Sequence, residues 1–356
     1  LVALIPSKDD VLAALRRVKD PELGMDVVSM GMIRDLVVRG DEVDFTLELT
    51  TPACPFNAQI EQAVREAVQG VKGVKSVKMR VTARVRQAAV PRQQVEVPGI
   101  KNIIAVGSGK GGVGKTTVAT NLAVALAEAG ASAGILDADI YGSSLTRFIR
   151  RYTFESRPGT KIQPALGPLG LRMMSMGLLV PDTTPIIWRG PLVGGAVRQM
   201  LLEVEWGELD YLIVDLPPGT GDAPLTLAQT IPVTGAIIVT TPQQASLDIA
   251  IKALHMFRKL NVEILGLVEN MSYYVCNNCG AREHIFGKDG AVSAAAEAGA
   301  PLLAQIPLLP RIRELSDGGE PLVVSDPDSE AAQVFRALAR RVAAGVSVLA
   351  VRRGAR

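Results

Sequence analysis

The run Gly109-Lys110-Gly111-Gly112-Val113-Gly114-Lys115-Thr116 carries the most restrictive chemistry in the sequence. It satisfies G-x-x-x-x-G-K-T. In that pattern glycines let backbone N–H groups turn toward phosphate oxygens, the lysine reaches the β- and γ-phosphates, and the hydroxyl ligates Mg²⁺. The overlapping segment from Gly107 to Gly112 also satisfies G-x-G-x-x-G, a dinucleotide pattern, but a lone match of that kind is weak. The longer motif stands between an apolar run at 103–106 and a helical stretch at 115–128, as its mechanism requires. Carboxylates at other strand ends would complete a hydrolytic centre. Asp215 ends the apolar run 211–214, where a carboxylate acts on Mg²⁺ through water. Asp137 and Asp139 end the run 133–136 and could position the attacking water and the metal. A strand-end carboxylate is often only solvated; its combination with the glycine loop is what carries the reading.

A second chemistry lies in Cys276 and Cys279, a single C-x-x-C. Thiolates at that spacing converge on a soft metal or a cluster. One pair supplies two ligands where four are commonly needed, and a symmetric dimer would supply the other two across its two-fold axis. His284 is close enough in sequence to be a third zinc ligand, so chemistry alone fits zinc and an iron–sulfur cluster equally. A redox dithiol fits less well, because the pair does not open a thioredoxin-like helix. Cys54 precedes a helix start, where the dipole favours thiolate, and it also fits a small buried residue in a tight loop. The sequence holds only two histidines, so a histidine-based metal centre is excluded; His255 falls in an apolar-periodic helix at 249–260 and reads as structural.

These residues must be positioned by two kinds of architecture. Residues 1–85 read as a small α+β domain of order α-β-β-α-β. Ser7 with Asp10 resembles a capping box, and the helix it opens is stopped by a turn at 20–24. A hairpin spans 33–38 and 43–49, a helix follows near 57–68, and a strand at 77–85 closes the domain. Residues 86–100, with Pro91, Gln93, Gln94 and Pro98, read as a linker. From residue 101 to 356 apolar strands alternate with helices, which predicts an α/β fold with a parallel sheet covered on both faces. Strands are expected at 103–106, 133–136, 211–214, 236–239, 264–268 and 302–306, and loops with one helix across 157–195. Apolar residues make up 48% and charged residues 21% of the 356, an ordinary globular balance that argues against disorder. A formal net charge of +2 gives no nucleic-acid footprint, and no apolar run is long enough to span a bilayer. Three cysteines and no secretory signal lead us to expect cytoplasmic residence without a disulfide framework. Trp188, Trp206, Tyr273 and Tyr274 read as packing or dimer-interface residues. Arg147, Arg150 and Arg151 read as a solvated face, and so do Arg340, Arg341, Arg352 and Arg353 on a terminal helix.

The run Lys110-Gly-Gly-Val-Gly-Lys115-Thr116-Thr117 resembles the deviant Walker A loop of the division-site, partitioning, nitrogenase iron-protein and arsenite-pump ATPases. The resemblance implies that Lys110 reaches across a homodimer to the partner's ATP. Asp137-Ala-Asp139-Ile-Tyr-Gly142 looks like the first switch of that class, and Asp215-Leu-Pro-Pro-Gly-Thr-Gly-Asp222 looks like the second. Residues 268–273 followed by Cys276-Asn-Asn-Cys279-Gly narrow the match to the Mrp/ApbC iron–sulfur cluster carrier ATPases, over residues 101–328. This implies a labile [4Fe–4S] cluster bridging two chains at Cys276 and Cys279, slow ATP hydrolysis, and a base contact from Asn270. The implied partners are a cluster-assembly scaffold and apo iron–sulfur proteins, without nucleic acid or stable membrane association. Thr50-Thr-Pro-Ala-Cys54-Pro resembles the cysteine loop of small iron–sulfur assembly accessory domains and would make Cys54 a transfer thiol. Two alternatives remain open: a MinD/ParA-like spatial-organisation ATPase, and a zinc-stabilised scaffold.

Overall fold

The computed structural model describes residues 6–21, 24–88, 96–140, 142–154, 161–180, 190–276 and 278–354. Trp188, Tyr141, Asn277, Pro91, Gln93 and Gln94 lie outside these. The chain divides into two compact units, one of residues 1–86 with 343–356 and one of residues 87–342.

The first unit begins with α1 (Lys8–Leu15), opened by a capping box in which Ser7 and Asp10 satisfy each other's backbone N–H groups. This helix ends before the turn expected to stop it. Residues 18–20 leave the helix to pair with 25–27: Asp20 N–H donates to Met25 and Val27 N–H to the Val18 carbonyl. β1 (Ile33–Arg39) and β2 (Glu42–Leu49) form the expected antiparallel hairpin, and α2 (Asn57–Gln69) crosses to β3 (Ser76–Ala83), parallel to β2. β2 alternates half-buried and buried positions, which places Val43, Phe45, Leu47 and Leu49 on the core face against Ile60, Val64 and Val68 of α2.

The second unit is built on an eight-stranded sheet of order β13-β10-β9-β4-β8-β5-β7-β6. Its elements in chain order are β4 (Ile100–Ser108), α3 (Lys115–Glu128), β5 (Ala133–Asp137), α4 (Leu145–Phe148), β6 (Ala165–Leu166), β7 (Arg172–Met174), α5 (Met176–Leu179) and α6 (Gly190–Glu203). There follow β8 (Leu209–Asp215), α7 (Asp222–Thr230), β9 (Gly235–Thr240), α8 (Gln244–Lys259) and β10 (Ile264–Glu269). A two-strand hairpin, β11 (Tyr274–Val275) with β12 (Arg282–Glu283), precedes α9 (Gly290–Glu297) and β13 (Leu302–Gln305). The chain closes with α10 (Pro310–Gly318), α11 (Leu322–Ser325) and α12 (Glu330–Gly354). All neighbours in the large sheet pair parallel except β6 with β7, so this unit is a mostly parallel α/β sheet, and the first is a small α+β unit.

The expected loops across 157–195 hold two short strands as well. β7 is stabilised by pairing with β5, and β6 by pairing with β7, rather than by any periodicity of their own. β4 lies between β8 and β9, where the strand order reverses, and in such sheets the crevice at the carboxyl ends is where ligands bind. β4, β5, β8 and β10 end there in Ser108, Asp137, Asp215 and Glu269. α3 is buried at ten of its fourteen positions, so it is a central helix whose N-terminus is fixed against the end of β4. Among the described residues, no helix is long and apolar enough to cross a membrane.

Candidate functional site: a phosphate loop and a cysteine hairpin

The glycine loop connects β4 to α3 as its motif requires. Gly114 is the N-cap of α3, in the left-handed region with φ 81°, which an L side chain rarely adopts. A Cβ there would also stand 2.1 Å from Asn270 Nδ2. That nitrogen donates to the Val113 carbonyl at 2.9 Å, so Asn270 is placed on the loop backbone itself. With α3 behind it, the loop presents N–H groups at a helix N-terminus, an arrangement suited to an anion.

Three side chains meet below the loop. Lys115 Nζ pairs with Asp215 Oδ1 at 2.5 Å, and the Thr116 hydroxyl donates to Asp215 Oδ2 at 2.6 Å. Asp215 is 1% exposed and Lys115 7%. Burial pushes the Asp215 carboxyl up, while the Lys115 ammonium and the two hydrogen bonds oppose that shift. The Thr116 and Asp215 oxygens lie side by side, and two adjacent oxygen donors suit a hard divalent cation such as Mg²⁺.

The paired aspartates of the first switch have different environments. Asp137 is fully enclosed. Its Oδ2 accepts from the Ser144 and Leu145 N–H groups at 3.0 and 3.2 Å and from the Ser175 hydroxyl at 3.1 Å, and its Oδ1 accepts from Asp139 N–H at 3.1 Å. Burial, with the nearby charge of Asp215, pushes it up to about 6. Asp139 instead lines a cleft of about 220 Å³ together with Lys110, Lys115, Thr116, Thr117 and Pro218. Gly109 and Val113 are not in that lining, whereas Gly111, Gly112 and Gly114 are. Ser144 and Phe148 also line it and were missed from sequence; their place just after the first switch was the available signal.

The cysteine pair sits at the tip of the β11–β12 hairpin. Cys276 N–H donates to the Ala281 carbonyl, and Gly280, at φ 72°, returns its N–H to the Cys276 carbonyl at 2.8 Å. The backbone N–H groups of Cys279 and Asn278, with the Cys279 side chain, aim at the Cys276 sulfur and hold that thiol below its ordinary range. Cys276 is half-buried and Cys279 exposed. His284 is not directed to the pair: its Nδ1 lies 3.2 Å from the Ser272 carbonyl and its ring tilts against Tyr273. Among the described residues, no group of three or more His, Cys, Asp or Glu could hold a metal ion. The zinc site that enlisted His284 as a third ligand is therefore not the arrangement found. Tyr273 donates to Glu330, and Arg282 pairs with the same carboxylate while stacking over the Tyr273 ring at 4.9 Å. Trp206 is core, its Nε1–H bonded to the Met200 carbonyl, whereas His255 is exposed on α8. Arg147, Arg150 and Arg151 are exposed as expected.

Cys54 lies in the other unit, buried at 8% exposure in the loop before α2. Asn57 braces that loop through its Nδ2 to the Thr51 and Pro52 carbonyls, at 2.9 and 3.2 Å. The N-cap of α2, Phe56, offers no side-chain bond.

Residues 99–343 match the family model described as "NUBPL iron-transfer P-loop NTPase". The chain belongs to that family. Residues 8–79 match a second model, "Iron-sulfur cluster assembly protein". The chain is 46% identical over 349 residues to the iron-sulfur cluster carrier protein of Synechocystis, covering 96% of this chain and 99% of that one. The corresponding protein of Deinococcus radiodurans is also 46% identical, with 96% of each chain covered, and that of Escherichia coli 48%, with 81% and 78% covered. Among solved structures, a nucleotide-binding protein from Archaeoglobus fulgidus in complex with ADP is 38% identical with a TM-score of 0.57, covering 67% of this chain and 93% of that one. MinD from Pyrococcus furiosus, at 24% identity and a TM-score of 0.51 over 68% of this chain and 98% of that one, shares the fold.

Proposed function

We propose that this family member is a homodimeric Mg²⁺-dependent ATPase that carries a labile [4Fe–4S] cluster and passes it to apo-proteins. The observation that carries the reading is the hairpin tip. It holds two thiols side by side, one with backbone N–H groups aimed at its sulfur, at an exposed position with no third ligand among the described residues. A pair that is half a site needs a second copy, and four thiolates from two chains match the ligand number of a [4Fe–4S] cluster. Relatives at 46% identity over nearly the whole chain are named as iron-sulfur cluster carriers, which supports cluster over zinc as cargo.

The nucleotide site supports ATP as the second ligand. Loop N–H groups and Lys115 would hold the phosphates, while Thr116 directly and Asp215 through water would hold Mg²⁺, which would neutralise phosphate charge. Lys115, now paired with Asp215, would turn to the phosphates when nucleotide binds, and Asp215 would then be free to hold the metal's water. Asp139, on the cleft wall, orients the attacking water. Asp137, its oxygens committed to the loop, holds that segment in place. Lys110, also on the wall, is the residue that reaches a partner's nucleotide, and Asn270 serves both the base and the loop. Hydrolysis is slow and times the cargo's release. Cys54 is a handover thiol, and cytoplasmic residence accords with a carrier.

The test is delivery. Anaerobically reconstituted protein should restore activity to an apo-enzyme that requires a [4Fe–4S] cluster. Reconstituted Cys276→Ala/Cys279→Ala should restore none. Equal delivery by that variant would end the proposal for this hairpin.

A further inference from the structure

The end of β10 joins the phosphate loop to the cysteine hairpin. Asn270, immediately after β10, holds the Val113 carbonyl of the loop. Met271 then takes a left-handed φ of 57°, and Ser272 folds back on the strand end. The Ser272 N–H donates to the Ile306 carbonyl at 2.9 Å, and its hydroxyl donates to Glu269 Oε2 at 2.5 Å. Its carbonyl faces His284 Nδ1, and His284 directly follows β12, the second leg of the hairpin. Both legs therefore converge on Ser272, one through the chain and one through the imidazole.

Glu269 underlies this junction. It is 1% exposed, a carboxylate taken almost wholly out of water. Its oxygens accept from three neutral donors: Ser272 Oγ, Gln305 Nε2 at 2.8 Å and the Ala291 N–H at 3.2 Å. Gln305 Nε2 also reaches Ser272 Oγ at 3.3 Å, closing a small ring. Burying a carboxylate among neutral donors is costly, and an acid fits here because every donor needs an acceptor. A glutamine would turn an NH₂ group toward one of them. Glu269 is not among the residues lining the phosphate cleft, yet it fixes the segment that touches both functional regions.

We infer that Glu269 is a positioning residue that couples the phosphate loop to the cysteine hairpin. Nucleotide in the loop moves Asn270, and the Glu269–Ser272 bond carries that movement to the hairpin. Nucleotide and cargo then bind with linked affinities, each changing the other by the same factor. The inference rests on the carrier reading. Spatial closeness is not coupling, so the test must measure coupling itself.

Full-length protein is reconstituted with iron and sulfide without oxygen, and the rate of iron loss to a chelator is measured without nucleotide and with Mg-ADP. The parent's two rates should differ by about fivefold or more, the lower range of typical coupling energies. In Glu269→Gln and in Ser272→Ala the ratio should approach one, although both bind ADP and load iron. A merely structural role would change stability or loading and leave the ratio. Variants that keep the parent's ratio overturn the inference, and so does a parent whose rates are equal. If Glu269→Gln fails to load, Ser272→Ala, which removes one hydroxyl, decides. A parent that loads no iron ends the carrier reading and this inference with it; a parent that loads iron but shows no nucleotide effect ends only the inference.

Discussion

Gly114→Ala is the sharpest perturbation of the phosphate loop. The added Cβ meets two separate obstacles. It must sit at φ 81°, and it must occupy space 2.1 Å from Asn270 Nδ2. The left-handed conformation costs an alanine about 1–2 kcal/mol. Displacing the Asn270 amide leaves the Val113 carbonyl without that donor, at a further cost of about 1–3 kcal/mol. A loop that relaxes to escape the strain must regain this conformation to bind, so the sum of about 2–5 kcal/mol corresponds to a roughly 30- to 4,000-fold loss of nucleotide affinity. Gly112→Ala is the internal control. Its φ of 78° imposes the same backbone strain, but nothing lies within 4 Å of its Cβ. That variant should lose only about 5- to 30-fold, the strain alone. The steric part is isolated by a double-mutant cycle with Asn270→Ala, in whose background Gly114→Ala should cost no more than the strain. Affinity is measured with a fluorescent ADP analogue, folding being checked by circular dichroism. If Gly114→Ala and Gly112→Ala lose affinity equally, or if Asn270→Ala brings no relief, the contact between Asn270 and the loop does not exist as described.

Further outcomes follow from the buried charges and the thiols. Lys115→Ala should destabilise the protein by about 3–5 kcal/mol by leaving Asp215 buried and unpaired. Adding Asp215→Asn should restore most of it, and thermal unfolding that ranks the double variant below the single would contradict the pairing. Asp137 is raised from 3.8 to about 6 by burial, so the folded state holds its proton more tightly than the unfolded chain. Its contribution is therefore full below about pH 4 and is lost as pH rises through 6, by up to about 3 kcal/mol. Urea unfolding of the parent against Asp137→Asn should show that slope in the parent alone; parallel pH profiles would refute it. Cys276, lowered by the hydrogen bonds at its sulfur, should alkylate faster at pH 7 in metal-free protein than buried Cys54 and should slow in Cys279→Ala. Mass spectrometry that finds equal rates for Cys276 and Cys54 would remove the thiolate argument.

The nucleotide core was legible because its motif and its elements are local. The strand–loop–helix unit follows from one continuous stretch of sequence, and α3 spans residues 115–128 as the periodicity implied. The ends of β5 and β8 followed from apolar runs that stop at carboxylates. What sequence did not reveal depends on contacts between distant residues. Asn270 and Val113 are 157 positions apart, so nothing local distinguishes a base contact from a loop contact. Asp137 and Asp139 look equivalent in sequence, and only the folding of Ser144, Leu145 and Ser175 around one of them separates their surroundings. β6 and β7, at two and three residues, are too short to show alternation and exist by pairing. His284 has a ligand's spacing from Cys279, yet the hairpin turns it toward Ser272.

The central claim is that two copies of the Cys276/Cys279 hairpin share one iron–sulfur cluster. Its direct test is to purify the protein without oxygen, reconstitute it with iron and sulfide, and count iron, sulfide and zinc per dimer, with Mössbauer spectra of the parent and of Cys276→Ala/Cys279→Ala. About four iron and four sulfide per dimer are expected in the parent, from the four thiolates that two chains supply, and none in the double variant. Tightly bound zinc without a cluster, or a cluster that survives loss of both cysteines, would contradict the account.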